Sequence, residues 1–251
     1  MPFSCVLEVC VDSVASAMAA EKGGAQRVEL CSGLAEGGIT PSAGLIVMTR
    51  KRVAIALHVL IRPRAGDFGY TADEFEVMKR DVALAKQLGV DGVVFGILGP
   101  DGRVDVPRTQ ELVELSRPLK VTFHRAFDAA ADLLTALEDV IRTGADRILT
   151  SGGVPTAKEG ADVIASLVTA SQGRVIVMAC GTIRAANVRR ILDSTGVSEV
   201  HANLQSLVPR PVDESGRAPF PFAGGRLQRL EVVPETVAAF LAAATDGRAA
   251  P

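Results

Sequence analysis

The chain has 251 residues, 48% hydrophobic and 22% charged, which excludes a disordered polymer and is enough for a large buried core. Its formal charge is −2, from 27 basic and 29 acidic side chains, and it carries nine Phe, one Tyr and no Trp. With no basic block and few rings to stack on bases, a nucleic-acid partner is excluded.

Residues Met1–Cys10 lack the basic and apolar regions of a signal peptide. The longest apolar stretch, Val53–Ile61, contains His58 and is too short to span a bilayer, so no membrane partner is expected. The cysteines Cys5, Cys10, Cys31 and Cys180 form no C-x-x-C pair. Four thiols in a chain of this length suit a reduced, cytoplasmic protein.

In chain order, apolar runs and helical patterns alternate. Strand Ser4–Val9 leads to helix Ser13–Lys22, and strand Gln26–Cys31 to helix Ser42–Lys51. Ala54–Ile61 precedes helix Ala72–Leu88, and Gly92–Phe95 precedes Arg108–Ser116. Lys120–Arg125 and Ala131–Thr143, then Arg147–Thr150 and Ala157–Thr169, continue the series. Arg174–Met178, helix Arg184–Asp193, strand Glu199–His201 and a last helix Glu235–Ala243 complete it. The strands are rich in Val, Ile and Leu, as buried parallel strands require.

Gly24-Ala25-Gln26-Arg27-Val28 recurs as Gly89-Val90-Asp91-Gly92-Val93, Gly144-Ala145-Asp146-Arg147-Ile148 and Gly196-Val197-Ser198-Glu199-Val200. Each copy is a helix-ending glycine, a small residue, a polar pair and a strand, and the copies precede strands two, four, six and eight. Two βα units per repeat, four times over, predict one closed (β/α)8 TIM-like barrel across residues 1–251, at a length near the barrel's typical value of about 250 residues. The Pro-, Gly- and Arg-rich stretch at about 205–234 is too long for an ordinary connection and reads as a lid, an oligomer contact or a mobile loop, with composition leaning to the last.

Barrel active sites lie at the carboxyl ends of the strands. All three histidines, His58, His124 and His201, are expected there. Alternation turns Val28 and Leu30 toward the helices and Arg27, Glu29 and Cys31 toward the axis. By the same rule Glu8 and Cys10, then His58 and Arg62, face inward, and His124 shares a face with Thr122. The mouth is therefore predicted to hold Glu8, Glu29, Cys10, Cys31, His58, Arg62, His124 and His201. Buried carboxylates need cationic or metal partners, which the arginines and histidines, or a metal, would supply. Arg62-Pro63-Arg64 is a stiff loop whose guanidinium groups could clamp an anion. Thr150-Ser151-Gly152-Gly153 and Cys180-Gly181-Thr182-Ile183 are turns whose amides could do the same. No lysine lies at a strand's carboxyl end, which argues against a Schiff-base aldolase.

Several blocks are similar to one known family: Glu8-Val9-Cys10-Val11-Asp12-Ser13, Arg27-Val28-Glu29-Leu30-Cys31-Ser32-Gly33, Glu36-Gly37-Gly38-Ile39-Thr40-Pro41-Ser42, Ile61-Arg62-Pro63-Arg64-Ala65-Gly66-Asp67-Phe68 and Val121-Thr122-Phe123-His124-Arg125-Ala126-Phe127-Asp128. Together with Leu149-Thr150-Ser151-Gly152, they resemble the CutC family of copper homeostasis proteins, over about residues 5–205. The resemblance implies a cytoplasmic, often oligomeric TIM-like barrel with a Cu(I) site at Cys10 and Cys31. The chain departs from the family pattern after strand seven, where Cys180 and Thr182 intrude, and after His201, where Ala202-Asn203-Leu204 follows.

Two functions follow. The first is copper handling, since thiolates on adjacent strands are soft ligands that suit Cu(I). The second is an enzyme, a lyase, isomerase or hydrolase for a small anionic, sugar-like or phosphorylated substrate. Glu8, Glu29, His58, His124 and His201 would then do acid–base work or hold a divalent metal. Arg62, Arg64, Arg125, Asp128, Thr150 and Ser151 would bind the substrate. A homo-oligomer is expected on either reading.

Overall fold

The structure, a computed structural model, describes residues 5–208 and 229–245. Eight parallel strands close in sequence order, β1 pairing with both β2 and β8. They are β1 (Val6–Val11), β2 (Arg27–Leu30), β3 (Ala56–Leu60), β4 (Gly92–Phe95), β5 (Lys120–Phe123), β6 (Arg147–Thr150), β7 (Ile176–Ala179) and β8 (Glu199–Ala202). The helices between them are α1 (Val14–Lys22), α2 (Ala43–Arg52), α3 (Ala72–Gln87), α4 (Val106–Ser116), α5 (Leu133–Thr143), α6 (Ala161–Ser171) and α7 (Val188–Thr195). This is a TIM-like (β/α)8 barrel.

Local signals set the helix ends. Ser13, Ser42 and Asp105 cap α1, α2 and α4, and Thr71 with Glu74 forms a capping box on α3. The repeat glycines Gly24, Gly89, Gly144 and Gly196 all take φ between 72 and 98°, so one conformational requirement explains all four copies. Outward strand residues such as Leu7, Val28, Leu57, Val93 and Phe123 join the helices in the main core, between barrel wall and helix ring.

Some boundaries differ from the sequence expectation. β5 stops at Phe123 rather than Arg125, because His124 leaves the strand to cap a 3-10 turn at Arg125–Ala129. α6 begins at Ala161 rather than Ala157, because the chain before it packs tightly on the loop after β6: a Cβ on Gly160 would lie 2.0 Å from the Ser151 carbonyl oxygen. α7 begins at Val188 rather than Arg184, because Asn187 folds back to accept from the Arg184 amide at 2.8 Å. The two ends of the 205–234 stretch are strands, β9 (Gln205–Val208) and β10 (Arg229–Val232), paired antiparallel. Residues 209–228, where the lid-or-loop question falls, lie outside the described residues. α8 (Pro234–Thr245) follows and packs on α1 so closely that a Cβ on Gly23 would meet the Val237 Cβ at 2.5 Å.

Candidate functional site

The barrel interior is charged at its base. The first inward residue of each even strand stands three places after its repeat glycine: Arg27, Gly92, Arg147 and Glu199. Glu199 accepts from Arg27 Nη2 at 2.5 Å and from Arg147 Nε and Nη2 at 2.7 and 3.0 Å. All three are buried, and burial's penalty on the Glu199 carboxylate is outweighed by the two guanidinium groups, which hold its pKa below the ordinary value. Sequence reasoning missed Arg147 and Glu199 as partners, although the repeat register itself carried the signal. Gly92 supplies space instead of charge. A Cβ there would lie 2.5 Å from the His58 ring, so β4 withholds a side chain where His58 sits.

The next inward positions come from the odd strands. Glu8 Oε2 accepts from Arg27 Nε at 2.5 Å, and Glu8 Oε1 from His201 Nδ1 at 2.7 Å. His58 Nδ1 stands 3.6 Å from Glu8, and His201 Nε2 stands 3.8 Å from Glu29. Glu8 and His58 each sit in mid-strand, the third residue of β1 and of β3, and both are buried. Burial works against the Glu8 carboxylate, yet Arg27 and His201 overcome it and hold its pKa well below the usual range. Burial pushes Glu29 the other way, and Glu8 adds to it against the pull of His201. Burial also opposes the His201 imidazolium, but Glu29 and Glu8 outweigh it and raise that pKa. His58, buried and only loosely engaged, is pushed down to about 4.

Above these lie the thiols. Cys10 in β1 and Cys31, the residue that follows β2, place their Sγ atoms 3.7 Å apart, and both are buried. Leu60 and Val94 complete an apolar cluster around them. Cys10 Sγ, a Glu29 oxygen and a His201 nitrogen all lie within 4.8 Å of one another. The contact with Cys31 and burial together raise the Cys10 thiol pKa well above normal. This group of soft and borderline donors suits a metal with a taste for sulfur.

The opposite side of the mouth is occupied by its own hydrogen bonds. Asp128 accepts from the Thr150 hydroxyl at 2.5 Å and from the amides of Ser151 and Gly153 at 3.0 and 3.1 Å. Arg125 pairs with Asp128 at 2.9 Å and reaches the Ser151 hydroxyl at 2.7 Å. The Gly152 amide is taken by the Thr150 hydroxyl. The turn sketched above as an anion cradle is therefore filled by the chain's own carboxylate. Arg62 is likewise no free clamp. It donates to the carbonyls of Glu36, Gly38 and Gly66 and ties two loops together. Arg64 is held by Asp67 and the Gly69 carbonyl in its own loop and by Glu74 in the first turn of α3. The three histidines do not form one group. His58 and His201 flank Glu8, whereas His124 packs on Phe68, ring centroids 5.0 Å apart.

The family model described as "CutC family" matches residues 5–206. A CutC family protein of Chromobacterium violaceum is 50% identical over 203 residues, covering 81% of this chain and 82% of that protein. A human protein named "Copper homeostasis protein cutC homolog" is 49% identical over 201 residues, 80% of this chain and 74% of its own. A crystal structure from Streptococcus agalactiae, named for the same copper homeostasis protein, superposes with a TM-score of 0.74 at 31% identity, covering 78% of this chain and 97% of that one. Among the described residues no helix is long and apolar enough to cross a membrane.

Proposed function

The chain belongs to the CutC family, and from that membership we propose that it serves copper homeostasis by binding Cu(I) at Cys10 and Cys31. One observation carries the reading: two buried thiols, Cys10 in β1 and Cys31 just past the end of β2, place their Sγ atoms 3.7 Å apart beside Leu60 and Val94. The donor set fits the ion, because Cu(I) is soft and thiolates are its preferred ligands. His201 and Glu29 stand beside Cys10 as neighbouring donors. The ion is cargo here, not a resident catalyst. Because the Cys10 thiol is held protonated by Cys31 and burial, uptake releases a proton and weakens in acid. A cytoplasmic location belongs to the same reading, supported by four free, buried thiols. So do a homo-oligomer and a single barrel domain over the whole chain.

The test is an anaerobic Cu(I) titration of the wild type against the Cys10→Ser, Cys31→Ser double variant. The wild type is expected to take up one equivalent that the variant lacks. Equal stoichiometry removes the cysteines as ligands.

A second reading, an acid–base enzyme, is favoured by one specific observation. Glu8 and Glu29 flank the same imidazole, His201, and their environments push their pKa values in opposite directions. Such divergence separates a fixed carboxylate from one able to exchange a proton. Glu8 would hold His201, and Glu29 would move the proton on a small anionic substrate. On a substrate found by screening small sugar-like and phosphorylated compounds, Glu29→Gln should lose about 10²–10⁴-fold in kcat, the usual scale for general acid–base catalysis. Full turnover by that variant ends the acid–base reading.

A further inference from the structure

Directly after Cys31 the chain turns back over the thiols. Ser32 and Ile39 exchange both of their backbone hydrogen bonds, at 3.0 and 2.8 Å, and so close a turn at residues 33–38. Gly33, Gly37 and Gly38 take φ of 63, 85 and 89°, a conformation that side chains rarely adopt. Within the turn, the amides of Glu36 and Gly38 donate to the Gly33 carbonyl at 2.9 and 3.1 Å. The inner face of the turn lies on the sulfur cluster. Leu34 packs against Cys10, Cys31, Leu60 and Val94. A Cβ on Gly38 would lie 3.7 Å from Cys31 Sγ and 2.8 Å from Leu60. Cys31 has no exposed surface and Cys10 has 6%, whereas Ala35, Glu36 and Gly37 on the outer face are exposed.

One side chain ties this turn to the rest of the mouth. Arg62 Nη1 donates to the Glu36 and Gly38 carbonyls at 3.2 and 2.8 Å, and Nη2 to the Gly66 carbonyl at 2.8 Å. Among the described residues, no other side chain hydrogen-bonds to residues 33–38. Arg62 is itself fixed. Its amide donates to Thr40 Oγ1 and its carbonyl accepts from the Thr40 amide, both at 2.9 Å. The base of the turn is thus held by backbone, and its tip by one guanidinium. If Arg62 lets go, the bonds inside the turn survive, so it can swing as a unit about Gly33 and Gly38, whose lack of a side chain suits a hinge.

We propose that residues 33–38 are a lid over the Cys10–Cys31 pair, with Leu34 as its plug and Arg62 as its latch, and that the lid swings away to admit a soft metal ion to the thiols. This rests on the copper reading and supplies the regulation of that site. In the closed state the thiols meet an apolar roof, which offers nothing to a hydrated cation that prefers oxygen ligands. Opening exchanges the Arg62–carbonyl bonds for bonds to water, so its net cost is far below that of unfolding, and local opening of this kind lies within reach of the native state.

The test is native-state labelling of the full-length, copper-free, reduced protein with N-ethylmaleimide, read at each cysteine by mass spectrometry. Cys180, buried just past β7, is the internal reference. Arg62→Met should speed labelling of Cys10 and Cys31 about tenfold or more, the scale of losing hydrogen bonds to a charged group, and leave Cys180 unchanged. Leu34→Ala should speed the same two thiols by a smaller factor. An unchanged rate at Cys10 and Cys31 in either variant overturns the lid, and so does an equal rise at Cys180, which would mean general loosening. If Arg62→Met does not fold, Leu34→Ala decides alone. Cu(I) supplied as its bicinchoninate complex should transfer faster to Arg62→Met than to the wild type, with the same final stoichiometry. Faster labelling without faster transfer also overturns the proposal, because the ion would then enter by another route. The copper reading fails separately, if the Cys10→Ser, Cys31→Ser variant binds as much Cu(I) as the wild type. The labelling, which contains no metal, then decides the lid by itself.

Discussion

The two sides of the barrel mouth treat their polar groups in opposite ways. On the β5–β6 side, three successive amides, Ser151 to Gly153, and the Thr150 hydroxyl are all engaged within the chain, most of them by Asp128. On the β1–β2–β8 side, the thiols of Cys10 and Cys31 meet each other, and Glu29 and His201 approach Cys10 without closing into ideal hydrogen bonds. A glycine-bearing turn after a barrel strand is thus not in itself an anion site. It becomes one only if the chain leaves its amides unanswered. The donor groups that stand close together without a full set of partners therefore gather on the sulfur side.

The contrast can be broken most severely at Asp128. Asp128→Ala would orphan the buried Ser151 amide and the Thr150 hydroxyl, at about 1–3 kcal/mol for each unsatisfied group. A loss of about 3 kcal/mol in urea unfolding is expected, and a neutral result would show that the corner is not self-satisfied after all. The next effect is one of pH. An unfolded histidine titrates near about 6.5, whereas burial holds His58 down to about 4. Between those values the unfolded chain binds a proton that the folded chain refuses. Stability from this group is therefore complete above about pH 6.5 and falls as the pH drops toward 4, by about 1.4 kcal/mol per pH unit. Unfolding measured at pH 7 and pH 5 should show His58→Gln losing about 2 kcal/mol less than the wild type over that interval.

Gly96→Ala sharpens the comparison at the His124 end. Its new methyl would press on the His124 ring, and overpacking of this kind costs about 1–3 kcal/mol. Thermal unfolding should fall accordingly, and the ¹⁵N spectrum should show a displaced His124. The smallest effect belongs to the thiols. Cys10→Ala and Cys31→Ala remove groups whose hydrogen-bond contacts are weak sulfur ones, at about 1 kcal/mol each in chemical unfolding. A stability loss much larger than that would recast the pair as a core element rather than a binding one.

Much of the architecture was legible because it rests on local chemistry. The four repeat glycines announce helix ends that need positive φ, and alternation along Arg27-Val28-Glu29-Leu30-Cys31 separates wall from interior. Alternation also turns Glu8, Cys10, Glu29, Cys31 and His58 inward, where the structure has them. It does not report depth along the axis. Depth depends on strand stagger, so alternation alone does not tell that His58 and His201 flank Glu8 while His124 packs on Phe68. The Arg27–Glu199–Arg147 layer was written at one register position of the repeat, but recognising it needs residues 172 apart in sequence to be brought side by side.

The sequence by itself determined the (β/α)8 barrel, the family, and which side chains face the axis, because helix termination, side-chain period and motif blocks are properties of neighbouring residues. Only the tertiary structure decided which polar groups answer one another. Asp128 closing its own anion cradle, Gly92 and Gly96 yielding room to His58 and His124, and the two thiols meeting at 3.7 Å all depend on closure of the sheet. Closure joins β8 to β1 across nearly the whole described chain, and no local pattern encodes the distances it sets.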